Sequence, residues 1–452
     1  MSTKKKEDPN DKLDKLLKIY IEKLSTFPDD SAPELEVKFG TKGNKMINKS
    51  DFNNVIRSLL NFGFKRESTE EYMLRTSLEI ADENLKAYKN LRFEINGLKN
   101  IQNYCITNQI PDVLDDNFKF TDKVLYTHAG ETYYPIDFPD YNFRVTYSIE
   151  NTISATSEPI KKLIDNWKGY KKMFRYLKRY KFTHSEYPFA IDLSIVKSSL
   201  KKYGKMDTTY TLRESDLFNQ RENYEVEIEI LNTEVGIGSK FSEPKNLIKQ
   251  LKKIVKYVLI GLQDSYYPIT IPEQLSVRDQ YYTLINKTDF KNKPVIPLDF
   301  IGPSSVTLQI ENILSPDSDY NNSMSLPNIR KNFTVTDKAD GMRKLLFISG
   351  DGKIYLINTS INIEFTGCLT KNSDIFNTIL DGEHITNDKN GKFINLFMAF
   401  DIYHINKKNV TGYPFITYTS NDVSESEAAN KDSKETEQNK ETKEIIYRLT
   451  LL

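Results

Sequence analysis

The chain has 452 residues, enough for two or three domains, and its hydrophobic content of 38% is sufficient for real cores and excludes a disordered protein. Because 63 basic residues balance 63 acidic ones, the net charge is zero, and any polyanionic partner must be bound by a local basic patch. With neither a leader nor a bilayer-spanning apolar run, we expect a soluble, intracellular protein with no membrane partner.

The chain opens with ten polar residues that we expect to be flexible. From Asp11 to Ser25, leucines and other apolar residues recur at helical spacing. This pattern predicts an amphipathic helix that packs on a sheet.

Two later segments have the alternation of a strand with one acidic and one apolar face. The segment Glu34 to Phe39 reads ELEVKF, and the segment Tyr224 to Leu231 reads YEVEIEIL. Such a face is most often solvated surface, but stacked acids become useful when a divalent metal and basic groups neutralise them inside a cavity. The charged faces carry Glu34, Glu36 and Lys38 in the first strand, and Glu225, Glu227 and Glu229 in the second.

Between these two lie two predicted strands with basic residues on one face and a third with an inward acid. They are Phe143 to Ile149, Arg175 to Phe182, and Ala190 to Lys197. The order of acidic, basic and acidic strands predicts a closed antiparallel barrel lined with charge, with the strand aromatics packing outside. An exposed nucleic-acid-binding face is the alternative. The inward residues are Arg144, Arg175, Arg179, Lys181 and the acid Asp192.

This pattern resembles the triphosphate tunnel metalloenzymes, whose first strand carries ExE or ExExK and whose last carries ExExE. The resemblance implies that water attacks the γ-phosphorus of a triphosphate. It implies that Glu34, Glu36, Glu225, Glu227 and Glu229 hold Mg²⁺ or Mn²⁺. It further implies a triphosphate site formed by Lys38, Arg144, Arg175, Asp192 and the catalytic pair Arg179 and Lys181.

A long apolar pattern from Lys245 to Gln263 predicts a helix that closes this first domain, residues 11–263. Proline-containing segments then indicate a linker over residues 264–300. We therefore expect a second, α+β domain over residues 301–452. The expected fold class is α+β and multidomain.

The segment from Thr334 to Ile348 contains the tetrapeptide KADG, with Lys338, Asp340 and Gly341. We expect two short strands joined by an Asp340–Gly341 turn, with Lys338 at the lip of a cleft. A nucleophilic lysine needs a lowered pKa, which Arg343 and Lys344 could provide. A surface hairpin with ordinary charges is the alternative.

Two downstream strands each carry acids: ILDGEHI, from Ile379, holds Glu383, and LFMAFDIYHI, from Leu396, holds Asp401. The order KADG, LDGE, FDIY resembles motifs I, III and IIIa of the covalent nucleotidyltransferases, which include mRNA guanylyltransferases and polynucleotide ligases. The resemblance implies that Lys338 attacks the α-phosphate of GTP. It implies that the nucleotide is bound by Asp340, Gly341, Arg343, Glu383 and Asp401.

Residues 420–444 are almost devoid of apolar side chains, and we expect a disordered insertion there. The later lysine-bearing nucleotidyltransferase motifs are absent. We therefore expect the chain to be the amino-terminal part of a longer protein, in which a methyltransferase domain or a stimulatory subunit is a further partner.

Triphosphatase motifs followed by transferase motifs resemble the mRNA-capping enzymes of large and giant cytoplasmic DNA viruses. The resemblance implies 5′-triphosphate RNA and GTP as substrates, and a location in the viral factory or the virion. Two alternatives are a ligase or other adenylyltransferase using the same lysine, and a non-catalytic RNA-binding or subunit-docking module.

Overall fold

The structure is a computed structural model that describes residues 7–40, 46–78, 88, 90–202, 205–236, 238–287, 294–315, 328–330, 333–416 and 446–452. Most of the ten-residue amino-terminal segment and the whole predicted insertion at 420–444 lie outside these residues. The chain divides into two compact units, Met1–Ile271 and Pro272–Leu452. The division falls inside the stretch predicted as a linker.

The first unit contains five helices and fourteen strands among its described residues. The helices are α1 (Pro9–Lys23), α2 (Lys49–Asn61), α3 (Leu98–Thr107), α4 (Glu158–Asp165) and α5 (Pro244–Gln263). The strands are β1 (Ser31–Phe39), β2 (Lys65–Arg66), β3 (Glu71–Leu78), β4 (Leu91–Asn96), β5 (Phe118–Leu125), β6 (Thr127–His128), β7 (Glu131–Thr132), β8 (Ile136–Phe138), β9 (Phe143–Ile153), β10 (Lys172–Thr183), β11 (Phe189–Ser198), β12 (Lys201–Lys202), β13 (Lys205–Met206) and β14 (Asn223–Ile230).

Eight of these strands form a closed antiparallel barrel. Their order is β1-β14-β11-β10-β3-β4-β5-β9, and β9 pairs again with β1. Strands β2 and β8 attach to β10 and β9. Because the ring of pairing is complete, the eight strands present no free edge to a second chain. The predicted charged barrel with packing helices is confirmed.

Helices pack on the apolar outer face of the barrel. Leu35 and Val37 of β1 are buried in one hydrophobic cluster with residues of α1, α2 and α5. Each such side chain contributes roughly 1.5–3 kcal/mol on burial. Helices α2 and α5 approach closely at Gly261, where an added Cβ would lie 2.5 Å from the Cα of Val55. The strand alternation that buries these residues leaves the charged residues facing the barrel interior.

The start of α1 differs from the prediction. Asp8 caps the helix by accepting a hydrogen bond from the backbone N–H of Asn10, and Pro9 occupies the first turn. Proline is well suited to this position because its fixed φ is helical and it lacks an N–H that would be unpaired. The expectation of a flexible segment through residue 10 is therefore wrong for Pro9 and Asn10.

The second unit is built on a six-stranded antiparallel sheet with the order β17-β16-β15-β18-β19-β20. Its strands are β15 (Met342–Ile348), β16 (Lys353–Asn358), β17 (Ile363–Leu369), β18 (Thr378–Asn387), β19 (Phe393–Ile405) and β20 (Lys408–Asn409), and its helices are α6 (Ile271–Leu284) and α7 (Arg448–Leu451). The predicted α+β class of this part is confirmed.

Two local expectations in the second unit are wrong. Helix α6 lies in the predicted linker and buries Val277, Tyr281 and Tyr282, so this part of the stretch is packed structure. Residues 333–340 form no strand, because β16 and β18 occupy both edges of β15 and leave no edge for a hairpin partner. The Asp340–Gly341 segment therefore leads into one strand instead of joining two.

Among the described residues, the helices lack the combination of length and apolar character that a bilayer crossing requires.

Candidate functional site

The two acidic strands are neighbours in the barrel wall. In the antiparallel pairing of β1 with β14, Glu36 lies opposite Glu229, and Lys38 lies opposite Glu227. Directly paired residues share one face of a sheet, so these side chains all face the interior. The predicted acidic residues of both strands are thereby brought together.

Two lysines neutralise part of this acidic cluster. The Nζ of Lys38 lies 2.9 Å from Glu227 and 3.2 Å from Glu36. Lys123 of β5 pairs with Glu34 and, at 2.6 Å, with Glu36. Burial raises the pKa of Glu36, but the two ammonium groups outweigh burial and hold it at about 2.

Other acids in the interior are not neutralised to the same degree. Burial, followed by the negative charges of Glu34 and Asp192, raises the pKa of Glu229 to about 7. Burial and the charge of Glu34 likewise raise the pKa of Glu150 on β9 to about 7. An excess of buried negative charge is expected at a site that binds a cation.

The basic residues of β10 face these acids. Arg179 lies 3.0 Å from Asp192 on β11, and Lys181 lies 3.8 Å from Glu71. Burial raises the pKa of Asp192 to about 6, even though Arg179 and Lys181 act in the opposite direction. Both cations are mostly shielded from solvent, which strengthens their effect on an anion in the barrel.

Two other predicted cationic residues form ion pairs with acids of the protein. Arg175 forms an ion pair with Glu225, the outermost glutamate of β14. Arg144 lies opposite Lys38 in the register of β1 and β9, but its Nε donates to Asp137 of β8 at 2.7 Å. Both residues would have to exchange these carboxylates for phosphate oxygens in order to bind a triphosphate.

A cavity of about 230 Å³ lies inside the barrel. Its charged lining consists of six cations and two acids, so this part of the interior favours a polyanion. The cations are Lys38, Arg75, Arg92, Lys123, Arg175 and Arg179, and the acids are Glu225 and Glu227.

Sequence reasoning missed the contributions of β3, β4 and β5. Arg75 of β3 pairs with Glu94 of β4 at 2.7 Å, and Lys123 of β5 lies opposite Glu150 of β9. The signal was present in β4, since LRFEIN alternates polar and apolar residues in the same way as the strands that were identified. In β5 the alternation of FKFTDKVL is broken after Phe120, so the signal there was weaker.

The interior glutamates have the hard oxygen donors that Mg²⁺ and Mn²⁺ prefer. The buried Oε2 of Glu36 accepts no hydrogen bond from the described residues, although the Lys38 ammonium lies 3.2 Å away. Within the described part of the chain, no three Asp, Glu, His or Cys side chains already converge on a metal position. The donor set fits a divalent cation once the lysines move away from the carboxylates.

In the second unit, Lys338 and Glu383 line one cavity of about 450 Å³, together with Asp340, Gly341 and His384. The Lys338 side chain is 85% exposed and pairs with Asp340. A Cβ on Gly341 would lie 2.6 Å from the backbone oxygen of His384, so the glycine permits this close approach to β18. The cavity is open enough for a ligand to reach the amine.

The expected lowering of the Lys338 pKa is not found. The hydrogen bond with Asp340 raises the pKa of Lys338. Neither predicted cationic neighbour acts on it, because Arg343 pairs with Asp381 and Lys344 is buried against Glu364. In this arrangement the amine is held in its protonated form.

Arg343 and Asp401 lie outside the Lys338 cavity. Arg343 donates to both carboxylate oxygens of the fully buried Asp381, which also accepts a hydrogen bond from Tyr403. Asp401 lies 3.3 Å from Arg448 of α7. Asp381, the acid of LDGE to which the sequence analysis gave no role in the site, is thus the one that orients Arg343.

Two sequence comparisons match known proteins to parts of this chain. Residues 323–448 match the family of the mRNA capping enzyme, catalytic domain. The chain is 28% identical over 230 residues to a protein described as a probable mRNA-capping enzyme of Acanthamoeba polyphaga mimivirus. That match covers 51% of this chain and only 16% of the mimivirus protein, so the chain spans a minor part of its relative's length.

Two solved structures align with about half of the chain. A mimivirus capping-enzyme triphosphatase aligns with 54% of this chain and 97% of its own, at 17% identity and a TM-score of 0.34. The RNA triphosphatase Pct1 of S. pombe aligns with 56% of this chain and 90% of its own, at 14% identity and a TM-score of 0.31. The predicted resemblance to the mRNA-capping enzymes is confirmed by the sequence matches, with residues 323–448 carrying the match to the mRNA capping enzyme catalytic domain family.

Proposed function

We propose that the barrel removes the γ-phosphate from 5′-triphosphate RNA in the first of two capping reactions. The observation that carries this proposal is the pairing of β1 with β14, which sets Glu36 opposite Glu229 and Lys38 opposite Glu227 inside a closed barrel. Carboxylates that could bind a cation therefore alternate with cationic side chains that could bind phosphate oxygens, within one enclosed space.

In this reaction, water forms a bond to the γ-phosphorus while the bond from that phosphorus to the β–γ bridging oxygen breaks. The products are inorganic phosphate and an RNA diphosphate end. Arg179 and Lys181 would hold γ-phosphate oxygens, and Lys38 would exchange its glutamate partners for phosphate.

The residues that would hold a divalent cation, Mg²⁺ or Mn²⁺, are Glu34, Glu36, Glu227 and Glu229, and Glu225 completes the acidic face of β14. The cation, when bound, neutralises charge on the phosphate oxygens. Lys123 then balances the carboxylates that the cation leaves unpaired, since it already reaches both Glu34 and Glu36.

We propose that the second unit transfers GMP through Lys338. After losing its proton, Nζ attacks the α-phosphorus of GTP, the bond to the α–β bridging oxygen breaks, and pyrophosphate leaves. The RNA diphosphate end then displaces the lysine to complete the cap. Glu383 lies in the same cavity and would contact the nucleotide, while Arg343 and Asp401 would shape the sheet behind it.

The triphosphatase proposal is tested with RNA labelled at the γ-phosphate. Glu36→Gln removes one interior carboxylate and should reduce phosphate release at least a hundredfold. The matched control is Glu70→Gln, because Glu70 pairs with Arg66 and Lys178 rather than with an interior residue. Equal release by the two variants, both folded, would contradict the assignment of the barrel interior as the reaction site.

The transferase proposal is tested by incubating the protein with labelled GTP or ATP and Mn²⁺, followed by denaturation. Label retained from GTP and lost in Lys338→Ala supports GMP transfer. Label retained from ATP alone would instead support the adenylyltransferase alternative.

We further propose that a longer capping protein or a stimulatory subunit supplies the methyltransferase step, in the viral factory or the virion. The support is the much greater length of the mimivirus relative. Co-purification from infected cells tests this proposal.

A further inference from the structure

The second unit contains another cavity, which shares no lining residue with the Lys338 cavity. Its volume is about 880 Å³, with helix α6 on one side and the ends of β18, β19 and β20 on the other. This volume lies in the range that accommodates small organic ligands. Neither of the two proposed reactions uses this cavity.

His404 of β19 contributes a buried imidazole to the cavity wall. The residue is 1% exposed, and neither ring nitrogen completes a hydrogen bond with the described residues. Burial lowers the pKa of His404, against a smaller opposing effect of the Leu284 backbone, and so favours the neutral ring. Since Leu284 can face only one ring nitrogen, at least one has no hydrogen-bond partner among the described residues.

An unpaired buried nitrogen is costly, because its hydration is lost without replacement. Side-chain amides lie in the same wall. The Oε1 of Gln280 accepts from the Gly350 N–H at 3.2 Å, and the Oδ1 of Asn409 accepts from the Thr411 N–H at 2.9 Å. With their oxygens engaged, these amides have NH₂ groups left to donate to a ligand, beside an imidazole that can donate and accept.

The charge of the cavity distinguishes it from the barrel interior. Its charged lining in the described residues consists of Asp279 and Lys407, which balance each other. A phosphate group would find one cation and one competing carboxylate, whereas an uncharged polar ligand meets no net charge.

We propose that this cavity binds an uncharged nucleobase, which pairs with His404 and with the amides of Gln280 and Asn409. Nucleobase edges alternate donors and acceptors, and side-chain amides are well matched to them. The base could come from a free nucleoside or from single-stranded RNA, which share this chemistry. The proposal does not depend on either capping activity.

The test follows the imidazole signals by NMR in protein labelled with ¹⁵N-histidine. The chain has only four histidines, at positions 128, 184, 384 and 404, so the signals can be assigned by single substitutions. The probes are adenosine, guanosine, cytidine, uridine and a short unstructured oligoribonucleotide without a 5′-phosphate. All measurements use the full chain carrying Lys338→Ala, and His384 in the Lys338 cavity reports binding at that site.

We expect the His404 signals to move saturably with at least one probe while those of His128 do not. Movement with a nucleoside supports a free base, and movement with the oligonucleotide alone supports an RNA base. His404→Phe should weaken binding at least tenfold in calorimetry, whereas the exposed-site control His128→Phe should not. Unchanged His404 signals with all five probes would overturn the proposal. It would also be overturned if a folded His404→Phe variant bound the probes as tightly as the protein that retains His404.

Discussion

Glu36 and Glu229 lie directly opposite one another on adjacent strands of the barrel, yet their pKa values are shifted in opposite directions. Lys38 and Lys123 both reach Glu36 and keep it ionised. Glu229 is instead buried and lies near other acids, which raises its pKa. The interior is therefore asymmetric, with a charged carboxylate facing one that can hold a proton near neutral pH.

The first prediction concerns the stability of the metal-free protein. Because the pKa of Glu229 is raised from 4.5 to about 7, its favourable contribution is fully present below pH 4.5 and is lost as the pH rises through 7. Glu229→Gln should therefore stabilise the protein at pH 8, by at most ~3 kcal/mol, and lose this advantage at acidic pH. Urea unfolding in chelator at several pH values measures the difference.

The control for this measurement is Glu186→Gln, which removes an exposed carboxylate from the same unit. Its effect should be within about 0.5 kcal/mol of zero at every pH. A Glu229→Gln variant less stable than wild type at pH 8 would contradict the buried-charge account.

The second prediction is that the two activities separate by mutation. Glu227→Ala should abolish phosphate release and leave nucleotide transfer intact, and Lys338→Ala should do the reverse, because the two residues belong to different compact units. Both assays run on the same preparations. Parallel loss of the two activities in a folded Glu227→Ala protein would show that one site serves both.

The third prediction concerns the pH dependence of self-labelling by Lys338. Because Asp340 raises the pKa of the exposed lysine, the fraction of nucleophilic amine increases with pH, and the labelling rate should rise through the alkaline range. Asp340→Asn should move this profile to lower pH, even if the maximal rate falls. The measurement is the initial rate of lysyl-GMP formation from pH 6 to pH 10, and a profile that is flat above pH 7 would be inconsistent with it.

The fourth prediction concerns the buried carboxylate of Asp381. It accepts hydrogen bonds from Arg343 and Tyr403, so Asp381→Asn breaks a buried ion pair and should destabilise the second unit by about 3 kcal/mol. Tyr403→Phe removes one hydrogen bond and should cost only about 1 kcal/mol. Thermal unfolding gives the ranking, and a smaller effect for Asp381→Asn than for Tyr403→Phe would contradict it.

Alternation of charged and apolar residues was sufficient to predict β1, β10, β11 and β14, and with them the interior face of the barrel. The prediction of the α5 helix was correct to within one residue at its start. These elements follow from local periodicity. The choice of ion-pair partner does not follow from local periodicity. The pairing of Arg144 with Asp137 and of Arg175 with Glu225 could therefore not be predicted from the sequence.

The conformation and charge environment of the KADG segment also could not be predicted from the sequence. The dipeptide Asp340–Gly341 is typical of hairpin turns, but a hairpin needs a free strand edge, and both edges of β15 are occupied by distant parts of the chain. The direction of the Lys338 pKa shift depends in turn on which charges surround the amine in three dimensions. Arg343 and Lys344 are close in sequence, yet their ion pairs with Asp381 and Glu364 direct them elsewhere.

The most direct test of the account is the product formed from 5′-triphosphate RNA as Mn²⁺ is titrated into the metal-free protein. We predict one phosphate released per RNA, a diphosphate end, and activity that appears with metal binding and with the release of protons from the interior glutamates. Failure to release phosphate at any metal concentration, or release of pyrophosphate in place of phosphate, would contradict the assignment of the barrel as a metal-dependent triphosphatase.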